Sequence, residues 1–127
     1  MNEQVTDITV YSTSPEHARV GEDFVLRITV ENTAARPQVL NAIDLGGGYQ
    51  EAVSVINTVP AHKKTETNFA TLERSYLFDR TIPAKSEQAV EFQSRGLKAG
   101  EHPFTISVCM NSDTNCETYN LKITISP

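Results

Sequence analysis

Two cysteines, three histidines and one run of alternating amide and carboxyl side chains are the groups in this 127-residue chain whose chemistry reaches beyond solubility. Cys109 and Cys116 bracket the loop Met110-Asn111-Ser112-Asp113-Thr114-Asn115. If the flanking segments form an antiparallel hairpin, pairing Phe104 with Leu121 and Ile106 with Tyr119 matches two apolar faces. The same register sets Cys109 directly opposite Cys116, with both sulfurs on the face away from the core. Opposed residues have Cα atoms about 4.5–5.5 Å apart, within reach of a disulfide. Such a bridge closes a short loop and contributes about 2 kcal/mol. Two reduced thiols of a cytosolic protein are the competing reading. A zinc site lacks ligands, because His102 lies about 20 Å or more along the strand from Cys109.

Asn111, Asp113, Asn115 and Glu117 place oxygen donors at every second position, a weak calcium candidate without the glycine and distal bidentate glutamate of an EF-hand. The Asn and Asp residues serve turn geometry equally well. Gly46-Gly47-Gly48 is followed by neither Lys-Ser/Thr nor a helix, so it reads as a flexible connection and not a phosphate cradle. His17 falls in a polar turn, His62 in a long loop and His102 at a strand start, and no Gly-x-Ser-x-Gly motif accompanies them. No catalytic residue, enzyme activity or cofactor is expected. Sugar binding draws on exposed planar aromatics. Trp is absent, Tyr76, Phe78 and Tyr119 fall on core faces, and Tyr11 and Tyr49 are the tyrosines left for exposure.

The elements that must position these groups are strands. In residues 22–32, Phe24, Leu26, Ile28 and Val30 share one face while Arg27, Thr29 and Glu31 share the other, with Val25 the one apolar intruder. Residues 102–109 repeat the pattern with Phe104, Ile106 and Val108, and 117–125 with Tyr119, Leu121, Ile123 and Ile125. Ser75–Ile82 aligns Tyr76, Phe78 and Ile82, interrupted by Arg80. Thr6–Tyr11, Val39–Leu45, Ala52–Val59 and Gln88–Gln93 are weaker, and bring the candidates to eight. Ser14-Pro15, Arg36-Pro37, Gly46-Gly47-Gly48, Ile82-Pro83 and Ala99-Gly100 mark turns. The polar stretch Pro60–Leu72 reads as a long surface loop within an extended insertion at 46–75, and Thr67–Ser75 has room for one helical turn. Short strands at this spacing predict an all-β, two-sheet antiparallel immunoglobulin-like sandwich of seven to eight strands.

A chain of this length is one domain, 1–127. Its formal charge of -5 argues against nucleic acid and against an anionic membrane surface. No apolar run approaches the ~20 residues that span a bilayer. The N-terminus Met1-Asn2-Glu3-Gln4 is too polar for a signal peptide. The first strand candidate begins within a few residues of Met1 and the last ends at Ser126-Pro127, which suggests a domain cut from a longer polypeptide. A persistent disulfide would place the chain outside the cytoplasm, secreted, periplasmic or on the cell surface.

Val20-Gly21-Glu22-Asp23-Phe24-Val25-Leu26-Arg27-Ile28-Thr29-Val30-Glu31-Asn32 resembles the second-strand signature of bacterial CARDB-like and related immunoglobulin-like modules, where a Val-Gly turn leads into an alternating strand ending in Asn. Ile82-Pro83-Ala84-Lys85-Ser86 is similar to the Ile-Pro-Ala-Gly turn of these modules, with Lys85 where glycine is usual. Gly96-Leu97-Lys98-Ala99-Gly100-Glu101-His102 resembles their Ala-Gly-x-aromatic approach to the penultimate strand, with His102 at the aromatic position. The segment Gly46–Ser75 is longer than these modules usually carry. The resemblance implies a non-catalytic module for domain spacing or for binding another protein or a neighbouring domain. A ligand-binding module for carbohydrate or calcium is the alternative.

Overall fold

In the computed structural model, residues 7–14 and 17–127 are described. The polar N-terminus at 1–4, Thr6 of the first strand candidate and Pro15 of the Ser14-Pro15 turn lie outside them. Among the described residues, ten strands form two sheets around one apolar core. β1 (Ile8–Thr13), β3 (Asp23–Asn32), β8 (Glu87–Gly96) and β5 (Val53–Val59) make a four-stranded sheet in the order β1-β3-β8-β5. β2 (His17–Arg19), β10 (Cys116–Ser126), β9 (Gly100–Met110), β4 (Gln38–Gly47), β7 (Glu73–Ile82) and β6 (Lys64–Asn68) make a six-stranded sheet in that order. All eight candidate segments are strands, and the fold is the expected two-sheet sandwich.

The alternating residues meet between the sheets. Phe24, Leu26, Ile28 and Val30 of β3, with Val90 and Phe92 of β8, pack against Ile43, Leu45, Tyr76, Phe78, Phe104, Ile106 and Val108 of the facing sheet. The ring of Phe92 sits edge-on to both Tyr76 and Phe78, at 5.1 and 6.4 Å between centroids, an arrangement favourable beyond simple burial. The apolar residues of β4 change parity from Leu40 to Ile43 because the register against both neighbours shifts between Leu40 and Ala42. Arg80 breaks the pattern of β7 beside the same irregularity, next to Asp79, whose φ is 49°.

The two strands missed in the sequence, β2 and β6, are both edges. β2 has three residues and pairs parallel to β10, so His17 stands in a strand and not in a turn. β6 turns the expected loop 60–72 into half of a hairpin with β7, pairing Lys64 with Leu77 and Asn68 with Glu73. Its residues Lys-Thr-Glu-Thr-Asn bury no face, hence no alternation announces it, and the charged edge discourages pairing with other chains. The helical turn expected at Thr67–Ser75 is absent. Asn68 instead closes the hairpin, its Oδ1 accepting from the Ala70 and Thr71 amides. Among the described residues the one helix is α1 (Tyr49–Ala52), a single turn that follows Gly48 directly, so the glycine run does lead into a helix, contrary to the sequence reading.

The quoted motif residues have mechanical roles. Gly21 takes φ 83° after Val20, and Lys85 takes φ 57° where glycine is usual, its Nζ donating to the Thr33 carbonyl at 2.6 Å. Asn32, fully buried at the end of β3, ties three segments together. Its Nδ2 faces the carbonyls of Arg36, Ile82 and Pro83 at 2.9, 3.0 and 3.2 Å. Its Oδ1 accepts from the Ala34 amide and from Gln38 Nε2 at 3.0 and 2.8 Å.

Candidate functional site

The hairpin of β9 and β10 has the register derived from its two apolar faces: Phe104 opposes Leu121, Ile106 opposes Tyr119, and Cys109 opposes Cys116. The cysteines are joined in a disulfide, with Cα atoms 4.0 Å apart. The bond lies on the face of the six-stranded sheet away from the core, yet Cys109 is only 1% exposed, because β4 and the strands beyond it wall it in. Cys116→Ser is expected to lower the unfolding free energy by about 2 kcal/mol by freeing the denatured chain. Urea titration should show this as a lower midpoint at nearly unchanged slope, since the bridge spans a sequence separation of only 7 and so restrains little denatured-state surface.

Lateral pairing lines up side chains that are far apart in sequence. One row runs Glu66–Ser75–Asp44–Ser107–Thr118 across β6, β7, β4, β9 and β10. The next runs Lys64–Leu77–Ala42–Cys109–Cys116. Ala42 is small, so the sheet face dips into a cleft of about 470 Å³ lined by residues of both rows and by Asp113.

Asp44 is the centre of this cleft. Its Oδ2 lies 3.8 Å from Cys109 Sγ. Its Oδ1 is buried and has no hydrogen-bond partner. Burial pushes its carboxyl above the usual range; the Ser75 hydroxyl opposes that rise and the charge of Glu66 adds to it. Glu73 is raised as well, by burial and then by Asp44. Three carboxylates from three strands thus share one surface, with Lys64 the cation beside them, 3.8 Å from Glu66. The arrangement attracts cations or basic groups. Both sulfurs are in the bridge, so the cleft presents no free thiol.

No protein-family model matches the sequence, and no curated protein matches it. Solved structures do match in fold. A CARDB domain from Pyrococcus furiosus, determined with di-metal ions, superposes with a TM-score of 0.51 at 12% identity, over 94% of this chain and 87% of that one. The fold is CARDB-like. A cohesin module from a Clostridium perfringens family 33 glycoside hydrolase gives 0.58 at 14% identity, over 96% and 98% of the two chains. A cupredoxin domain of amoB from Nitrosocaldus yellowstonii gives 0.61 at 11% identity, over 99% and 91%. At these identities the likeness is one of architecture.

Within this CARDB-like frame, the other residues singled out in the sequence are scattered. Asn111 sits at φ 67° and uses its amide on Val39 and Gln38, and Asn115 donates to the Met110 carbonyl. Of that quartet, Asp113 alone lines the cleft, and Glu117 lies on β10. His62 Nδ1 meets Thr58 Oγ1 at 2.7 Å, but Thr58 is only 2% exposed. His102 donates from Nε2 to the Lys98 carbonyl at 2.8 Å. Tyr49 is not exposed as expected: α1 plugs it into the core, where its hydroxyl meets Ser94 Oγ at 3.0 Å. Tyr119 is only partly buried. Asp44 does not stand out in the sequence, because its partners are set by strand order; the one hint is a carboxylate within the largely apolar run Leu40–Leu45.

Proposed function

We propose that this chain is a non-catalytic, extracytoplasmic interaction module that binds another protein, or a neighbouring domain of a longer chain, through the β6–β7 hairpin and the adjoining sheet face. The observation that carries this reading is Phe69, 86% exposed at the tip of that hairpin, with Leu72 beside it at 43%. A phenylalanine so placed adds nothing to the core, and a contiguous apolar patch rimmed by polar residues, which Phe69 and Leu72 begin to form, is the mark of a contact surface. Behind it stand Glu66, Glu73 and Asp44, so the partner surface should offer an apolar pocket flanked by basic groups. The disulfide supports a location outside the reducing cytoplasm. No helix of the described residues is long and apolar enough to cross a membrane.

A photo-crosslinking amino acid at position 69, introduced in the native cell, should yield a discrete adduct, whereas one at position 29 on the outer face of the other sheet should not. Phe69→Ser should leave folding stability within about 0.5 kcal/mol. Against the partner identified from the adduct, the same substitution should weaken binding by about thirtyfold, the scale of an aromatic anchor. Equal adducts from both positions, or unchanged affinity in the Phe69→Ser chain, would overturn this reading.

A further inference from the structure

We propose that, when the Cys109–Cys116 bridge is reduced, Asp44, Cys109 and Cys116 form a binding site for a thiophilic divalent cation of the zinc and cadmium class. One ligand atom from each residue lies within 4.8 Å of the other two. The residues stand on β4, β9 and β10, adjacent strands whose backbone register fixes them whether or not the sulfurs are bonded. The oxidised site is incomplete in a particular way. A disulfide sulfur carries no proton, so the approach of Asp44 Oδ2 to Cys109 Sγ at 3.8 Å is a contact without a donor. The other oxygen, Oδ1, is buried with no partner at all. A cation between carboxylate and thiolates would satisfy both.

Two thiolates and one carboxylate supply three of the four positions of a tetrahedral d¹⁰ ion, leaving one open to the cleft for solvent. The sulfurs select such an ion over calcium or magnesium, which prefer oxygen. Glu66 and Glu73 add a negative field around the opening. A dithiol reductant supplies two electrons and two protons, becoming a cyclic disulfide while the bridge becomes two thiols; binding of the metal then releases those protons. Metal uptake would therefore report the redox state of the hairpin.

The test titrates the whole chain with Cd²⁺ under anaerobic conditions, once oxidised and once reduced by a non-chelating phosphine, with circular dichroism to confirm the fold in each state. The reduced chain should bind a single Cd²⁺ with ultraviolet thiolate-to-cadmium absorption, displaceable by Zn²⁺, and the oxidised chain should show none. Cys116→Ser should abolish the band. Asp44→Asn should weaken the affinity by about tenfold or more, at least the scale of disturbing a ligand's support, while Asp44→His, which restores a donor, should retain it. A folded, reduced chain with no band overturns the proposal. So does an affinity indifferent to Asp44→Asn, or equal uptake by the oxidised chain.

Discussion

Asn32→Asp is expected to cost about 4 kcal/mol of folding stability at neutral pH, among the largest losses available to a change of one atom type in this chain. The Asn32 amide nitrogen faces three carbonyl oxygens, two of them within 3.0 Å. Replacing that nitrogen by oxygen sets a charged acceptor against acceptors in a site with no exposure to water. The new carboxyl would be held protonated in the folded state, so its pKa there lies above the unfolded value of about 3.9. With that sign, the deficit is largest above the raised pKa and shrinks as the pH falls towards the unfolded value. Asn32→Ala breaks the same bonds without adding charge, so its cost of about 3 kcal/mol should be insensitive to pH. Urea unfolding of both variants at pH 7 and pH 4.5, each referred to the parent, separates the two effects. Equal pH dependence would mean that water reaches the site.

Asn32 also shows what sequence reading captures. Its position, closing an alternating strand after a Val-Gly turn, was visible as a motif. The five contacts that give the motif its use come from segments up to 51 residues away. Legibility followed the buried faces. Strands with one apolar face, β3, β9 and β10, announced themselves, and matching two such faces gave the hairpin register and so the Cys109–Cys116 pairing. β6 and β2 lie at sheet edges and leave little or no periodic trace. Tyr49 looked available because a glycine run precedes it, yet a single helical turn folds it inward onto Phe104, at 4.7 Å between ring centroids. The Asp44 cleft was hidden for a topological reason. Its walls are residues 41, 42, 44, 64, 66, 75, 77, 109 and 113, and only the order β6-β7-β4-β9 makes them neighbours.

The glycine run itself reads differently once the strands are placed. Gly46 and Gly47 belong to β4, and the run lets that strand press against β9 at residues 103–105. Each position should therefore respond differently to alanine. At Gly47 the backbone has φ 74°, and an added Cβ would meet Phe104 Cα at 2.7 Å, so both conformation and space exclude it. Gly47→Ala should cost about 3 kcal/mol from strain and backbone displacement together. At Gly46 the Cβ would meet Thr105 Oγ1 at 2.8 Å and Glu73 Oε2 at 3.2 Å, both ends of side chains that can turn away. Gly46→Ala should therefore cost about 1 kcal/mol, and it would move the Glu73 carboxylate beside the cleft. At Gly48 the nearest atom, the Pro103 carbonyl oxygen, is 3.3 Å away and φ is -116°, which alanine adopts freely. Gly48→Ala should fall within about 0.5 kcal/mol of the parent. Thermal or urea unfolding of the three variants gives the order directly. A flexible connection would tolerate alanine equally at all three positions, so a flat series would return the run to that simpler role, and a steep one centred on Gly47 would establish it as the seam between β4 and β9.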